Sequence, residues 1–233
     1  GLGDVYKRQV LETLQEVIEA KRGTVCIFCN SIDSIDSFYR LIPELSNACT
    51  FCSEDGQYKL WKGNRRKKSM MITELERYNF FTSRFYSAVD ILCKNPPHVI
   101  FVSDLYGAAQ SVIDPATEAI QIIGRFRGGV NSVTHIASIR PELECMSSSE
   151  IDHWIQGAST IFNGWKAQLA RTTNIGERTL LQEAIGENSY LPYLDENGKP
   201  DSFLIANFYE KEQVKRLYTS ADLLHLSLIH ISE

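Results

Sequence analysis

Residues 24–29, Thr-Val-Cys-Ile-Phe-Cys, limit what this chain can fold into more than any other stretch. A strand with one wet face alternates polar and apolar side chains. An unbroken apolar, β-branched run instead reads as a strand covered on both faces, the habit of parallel sheets. Residues 48–52, 78–82, 98–103 and 133–139 read as four further strands. Between them, residues 10–21 place Val10, Leu14, Val17 and Ile18 on one helical stripe, with Gly23 as a stop. Residues 32–41 repeat helical spacing ahead of Pro43. Strand, helix and strand in alternation predict a doubly wound α/β layer. In such sheets ligands bind beyond the carboxyl ends of the strands, where Asn30-Ser31 follows the first run.

The most informative polar stretch is Gln121-Ile-Ile-Gly-Arg-Phe-Arg-Gly-Gly129. Asp114-Pro115 opens it as a helix start and Gly128-Gly129 closes it, which predicts a helix of about three turns. Gln121 and Arg125, four residues apart, then share a face. Gly124 leaves no side chain in the way of a close approach. A glutamine beside Arg125, with Arg127 following, suits an anionic oxygen such as that of a phosphate; a surface ion pair is the alternative for Arg125.

Gln-x-x-Gly-Arg-x-Arg resembles the sixth motif of superfamily 2 helicases. Residues 80–91, Phe-Phe-Thr-Ser-Arg-Phe-Tyr-Ser-Ala-Val-Asp-Ile, resemble the fifth motif, and residues 21–31 are similar to the strand that opens the C-terminal RecA-like lobe. The three stand in the family's order, nearest to the DEAD/DEAH-like helicases of mobile elements, phages and the herpesvirus origin-binding type. The resemblance spans roughly residues 10–140. It implies a RecA-like parallel sheet flanked by helices, with Arg125 and Arg127 as the catalytic arginines at the γ-phosphate of ATP. It also implies Gln121, Gly124 and Asp90 on the nucleotide side, and Thr82, Ser83, Asn30 and Ser31 along a nucleic-acid strand. The second arginine follows the first by two residues where the family has three. On a continuing helix the pair would diverge by roughly 200°. Ile122 stands where the family often has an arginine, and Ala88 where it has glycine.

No Gly-x-x-x-x-Gly-Lys-Ser/Thr loop occurs in the 233 residues. In the family that loop, with the acidic magnesium motif, belongs to the N-terminal lobe. The resemblance therefore implies that ATP and Mg2+ are held mainly by a partner lobe in cis, and that this chain alone is inactive. DNA or RNA, single-stranded, is the implied partner. Residues 1–9 and 226–233 resemble translated sequencing-adapter sequence, so they are expected to lie outside the fold, the chain being an internal piece of a longer protein. The expected division is then a helicase lobe over 10–141 and an α-rich accessory region over 142–225. In the latter, Ser147 to Glu150 offer caps for a helix over 151–170. A further helix spans 175–185, a β-hairpin 190–208 turns on Asn197-Gly198, and a last helix covers 208–224.

The net charge of −5 gives no chain-wide footprint for nucleic acid, so such binding falls to a local patch. Arg65-Arg66-Lys67-Lys68 is the candidate, with Tyr58 and Trp61 as bases' stacking partners; a solvated turn with packing aromatics is the alternative. A non-catalytic nucleic-acid-binding module using this loop is the second functional class. Cys26/Cys29 and Cys49/Cys52 have the spacing of a four-cysteine zinc site. Within extended strands, however, residues three apart face opposite sides, so core packing is favoured and no metal is expected. With no signal peptide and no apolar run approaching the ~20 residues of a membrane span, a cytoplasmic protein is expected.

Overall fold

The computed structural model describes residues 2–60, 71–72, 74–87 and 89–229. In chain order the main elements begin with α1 (Leu2–Glu19), β1 (Val25–Phe28), α2 (Ile32–Leu41), β2 (Cys49–Phe51) and α3 (Glu54–Lys59). There follow β3 (Met71–Ile72), β4 (Tyr78–Phe81), β5 (Asp90–Ile91), β6 (His98–Ser103), α4 (Glu118–Gly124) and β7 (Ser132–Ala137). The last four are α5 (Ser148–Arg171), α6 (Ile175–Gly186), α7 (Ser202–Leu217) and α8 (Ala221–Ile229). Two compact units result: Gly1–Glu142 together with Leu217–Glu233, and Leu143–Arg216.

In the first unit, all five expected strands join one sheet of order β2-β4-β1-β6-β7, every pair parallel. β1 is central and buried at every position, with Ile27 in register with Phe80 and Ile100. β1 and Cys29 just after it divide between two cores. Val25, Ile27 and Cys29 pack with Leu14 and Ile18 of α1 and with Ile35 and Phe38 of α2. Cys26 and Phe28 pack with Phe81, Phe101, Ile122 and Phe126. This is the α/β arrangement expected, RecA-like in type, with both sheet faces covered. Fully burying each such side chain contributes roughly 1.5–3 kcal/mol relative to exposure. Phe28 and Phe51 both stack on Phe81 at 4.8 Å between centroids, which fixes the second core beneath the strand ends.

α1 begins at Leu2, ahead of the expected start at residue 10, and Tyr6 stacks on Tyr106 at 4.2 Å. The cysteine pairs split as strand geometry requires: Cys26 and Cys49 belong to one core, Cys29 and Cys52 to the other. Four sulfurs distributed over both faces of a sheet cannot close a tetrahedron. Burial pushes the Cys29 thiol up to about 12, so it packs as a small hydrophobe.

The second unit is α-rich. The expected capping box is present: Ser147 Oγ accepts from Glu150 N–H at 3.3 Å, and the Glu150 carboxylate accepts from Ser147 N–H at 2.7 Å. Trp154, Tyr193 and Phe208 meet as a ring cluster with centroids 5.0–5.6 Å apart. The hairpin over 190–208 contracts to one antiparallel bridge, Leu194–Pro200, around a turn with Gly198 at φ +71°. Its second arm does not form because the Asp201 carboxylate accepts from the N–H groups of Phe203 and Leu204, at 2.8 and 3.1 Å, and starts α7 instead. The helix expected over 208–224 is two helices, α7 and α8, broken by residues 218–220. Among the described residues no helix is long and apolar enough to cross a membrane.

Candidate functional site

The carboxyl ends of β1, β2 and β4 open on a polar cavity of about 290 Å³ that gathers Asn30, Ser31, Thr82 and Ser83. Two sequence-separated pairs of candidates, Asn30-Ser31 and Thr82-Ser83, therefore meet because β1 and β4 are parallel neighbours. Asn30 is the brace: its Nδ2 donates to the Gln110 carbonyl at 3.1 Å and its Oδ1 accepts from Ser83 N–H at 3.3 Å. Ser31 caps α2, accepting from Ser34 N–H at 3.2 Å. Thr82 is buried, its N–H held by the Phe51 carbonyl at 3.1 Å. Ser83 and Arg84 stand exposed in the turn that follows. Lys59 and Arg84 bring positive charge to the rim and Asp33 brings negative. Sequence reading missed Lys59, Ser53 and Gln110. Arg84 was visible in the strand-end motif as the residue after Ser83, whereas nothing local marks the other three.

The arginines are arranged otherwise. α4 is shorter than expected, seven residues ending at Gly124. At its start the Asp114 carboxylate folds back on Ala116 N–H and Thr117 Oγ1, at 2.9 and 2.6 Å, so the segment 114–117 is a turn and the helix begins at Glu118. At its end, Phe126 buries itself against Phe28, at 6.1 Å between ring centroids, and bridges Ile91 in parallel, while Ile91 N–H donates to the Arg125 carbonyl at 2.9 Å. Burying an aromatic ring outweighs another helical turn, so the chain leaves the helix at Gly124 rather than at Gly128. Gly129, at φ +78°, completes the reversal.

This unwinding redirects Arg127. Its Nη2 lies 2.9 Å from Asp90 Oδ1 and 3.0 Å from Oδ2, and Arg125 Nη1 lies 3.8 Å from the same carboxylate. Both arginines converge on Asp90 instead of diverging around a helix. Arg125, at the C-cap with helical angles (φ −76°, ψ −19°), still follows exposed Gln121 by one turn. Its side chain is 30% exposed, yet its Nε is fully buried and has no hydrogen-bond partner. Space around Gly124 is open. Ile122, in the position of a possible third arginine, is wholly in the core.

A second polar cluster lies deeper. Tyr218, fully buried, donates from Oη to the Ile113 carbonyl at 2.6 Å and accepts from Ile113 N–H at 3.2 Å. Ser103 Oγ lies 3.1 Å from that Oη and 3.0 Å from His135 Nε2. The order of donation that satisfies the three hydroxyl and carbonyl groups runs from His135 Nε2–H to Ser103, from Ser103 to Tyr218, and from Tyr218 to Ile113, which leaves His135 Nδ1 bare. Burial pushes His135 down to about 4, so the ring is neutral.

Arg65, Arg66, Lys67 and Lys68 lie outside the described residues, as do Trp61, Ala88 and the side chain of Tyr58. Comparison of the chain with protein-family models, with characterised proteins and with solved structures gave no match. The chemistry of the arginine cluster fits an anionic group. A guanidinium cannot shed its charge, and the Arg125 side chain is 30% exposed while its buried Nε has no partner within the chain.

Proposed function

We propose that this chain is the C-terminal half of an ATP-dependent nucleic-acid helicase or translocase, acting in the cytoplasm on single-stranded DNA or RNA with an N-terminal lobe in cis. The observation that carries the reading is the gathering of Arg125 and Arg127 at Asp90, 3.8 and 2.9 Å away, which joins the segments resembling the fifth and sixth motifs. Bound ATP with Mg2+ supplies the phosphoanhydride to be cleaved. Arg125 offers a fixed cation to phosphate oxygens that gain charge, the kind of stabilisation worth about 10³–10⁵ in rate. Asp90 holds the arginines toward one another, and Gln121 lines the approach. Asn30, Thr82 and Ser83 form the strand-end track, with Lys59 and Arg84 beside it to meet phosphodiester charge.

The test is to recover the reading frame on both sides of this sequence and express the whole. A Gly-x-x-x-x-Gly-Lys-Ser/Thr loop upstream is expected, with hydrolysis that nucleic acid stimulates and that Arg125→Ala lowers by about 10³ or more. The 233-residue chain alone is expected neither to bind ATP tightly nor to hydrolyse it. A complete gene without the loop would overturn ATP hydrolysis. It would leave a non-catalytic nucleic-acid-binding module, for which the polar cavity is the supporting feature.

A further inference from the structure

The two arginines are not equivalent in their surroundings. Arg127 occupies both oxygens of Asp90 with one nitrogen, at 2.9 and 3.0 Å, and its side chain is 56% exposed. Arg125 is left 3.8 Å from the same carboxylate, at ion-pair but not hydrogen-bond distance, with a buried donor unmatched. The frame beneath them is rigid, because Asp90-Ile91 is tied to the arginine segment through Ile91 N–H to the Arg125 carbonyl and the Ile91–Phe126 bridge.

We propose that Arg125 alone takes the phosphate oxygens, and that Arg127 is a positioning residue which acts by occupying Asp90. Arg127 sits nearer both Asp90 oxygens than Arg125 does, at 2.9 and 3.0 Å against 3.8 Å, so it competes for the carboxylate and Arg125 keeps its Nη donors for an incoming anion. This rests on the phosphate-facing reading of the cluster and divides the work within it. It also accounts for the two-residue spacing: an arginine placed to reach Asp90 need not sit at the family's third position. Loss of Arg127 frees Asp90 to capture Arg125, so anion affinity falls although the contacting side chain is intact.

The experiment titrates the complete protein, expressed from the recovered reading frame, with sodium pyrophosphate and follows arginine Nε–Hε signals by nuclear magnetic resonance, with Arg125→Lys and Arg127→Lys each removing one signal for assignment. The Arg125 signal is expected to shift and saturate while the Arg127 signal stays in place. Arg127→Ala should weaken pyrophosphate binding about tenfold, as loss of an orienting partner does. The reversed pair, Asp90→Arg with Arg127→Asp, should recover most of it, because the carboxylate is again occupied away from Arg125. If both signals shift and the reversed pair fails to recover affinity, Arg127 touches the anion itself; the proposal falls while the phosphate-facing reading stands. If neither signal shifts, no phosphate is taken here, and the proposal and that reading fall together.

Discussion

His135 and Arg125 are both basic side chains with a ring or guanidinium nitrogen buried and unpartnered, and they settle the cost in opposite ways. Imidazole escapes by losing its proton: burial holds His135 neutral down to about pH 4, and the remaining N–H is spent on Ser103. What stays bare is an acceptor of a neutral ring. Guanidinium has no such exit within the pH range of proteins, so Arg125 keeps its charge and an unmatched N–H. One cluster closes on itself through Ser103, Tyr218 and Ile113 and serves the fold. The other leaves the Arg125 Nε unmatched on a side chain that is 30% exposed. Burial costs the two groups differently because one can discharge itself and the other cannot.

The largest expected effect falls on the closed cluster. Tyr218→Ala removes a fully buried ring together with its hydrogen bonds to Ile113 and Ser103. It should cost about 4 kcal/mol in urea-induced unfolding; a loss under about 1 kcal/mol would show that the cluster is not closed. Acid comes next. The folded ring binds its proton only near pH 4, whereas in the unfolded chain it does so from about pH 6.5. As pH falls through that window the unfolded state takes up a proton the folded state refuses. Stability is therefore full above about 6.5 and drops by roughly 3 kcal/mol toward pH 4. Unfolding curves at several pH values should lose that part of their slope in His135→Gln.

Tyr218→Phe keeps the ring and removes only the hydroxyl, leaving the Ile113 carbonyl unpaired, and should cost about 1–2 kcal/mol by the same unfolding measurement. Smallest is Arg125→Met. The open cluster contributes little to the fold, so thermal unfolding should place this variant within about 1 kcal/mol of the parent chain, on either side. A loss of 3 kcal/mol or more would mean that Arg125 is a structural ion pair and would erase the contrast with His135.

Much of the first unit was legible because a buried parallel strand leaves a local mark. Residues 25–29 carry apolar side chains at every position, and the four other runs are short and rich in β-branched and aromatic residues, with polar Thr50, Asn79 and His135 among them, so five strands were visible without knowing their order. The opposite facing of Cys26 and Cys29 followed from strand geometry alone. The capping box at Ser147 and Glu150 was legible for a similar reason, since its partners are three residues apart. The Tyr218 cluster was not, because Tyr218 meets Ile113 across 105 residues and Ser103 across 115, and no local pattern announces such a meeting.

By itself the sequence determined the strands, most of the helix stripes and the identity of the polar residues at the strand ends, because side-chain alternation and capping act over a few residues. Tertiary structure alone decided where α4 stops, that Asp201 starts a helix instead of a second hairpin arm, and that Arg125 and Arg127 turn toward Asp90. Those outcomes depend on what lies opposite in space: burying Phe126 against Phe28 and bridging it to Ile91 outweighs another turn of helix, and that competition is invisible until the sheet is assembled.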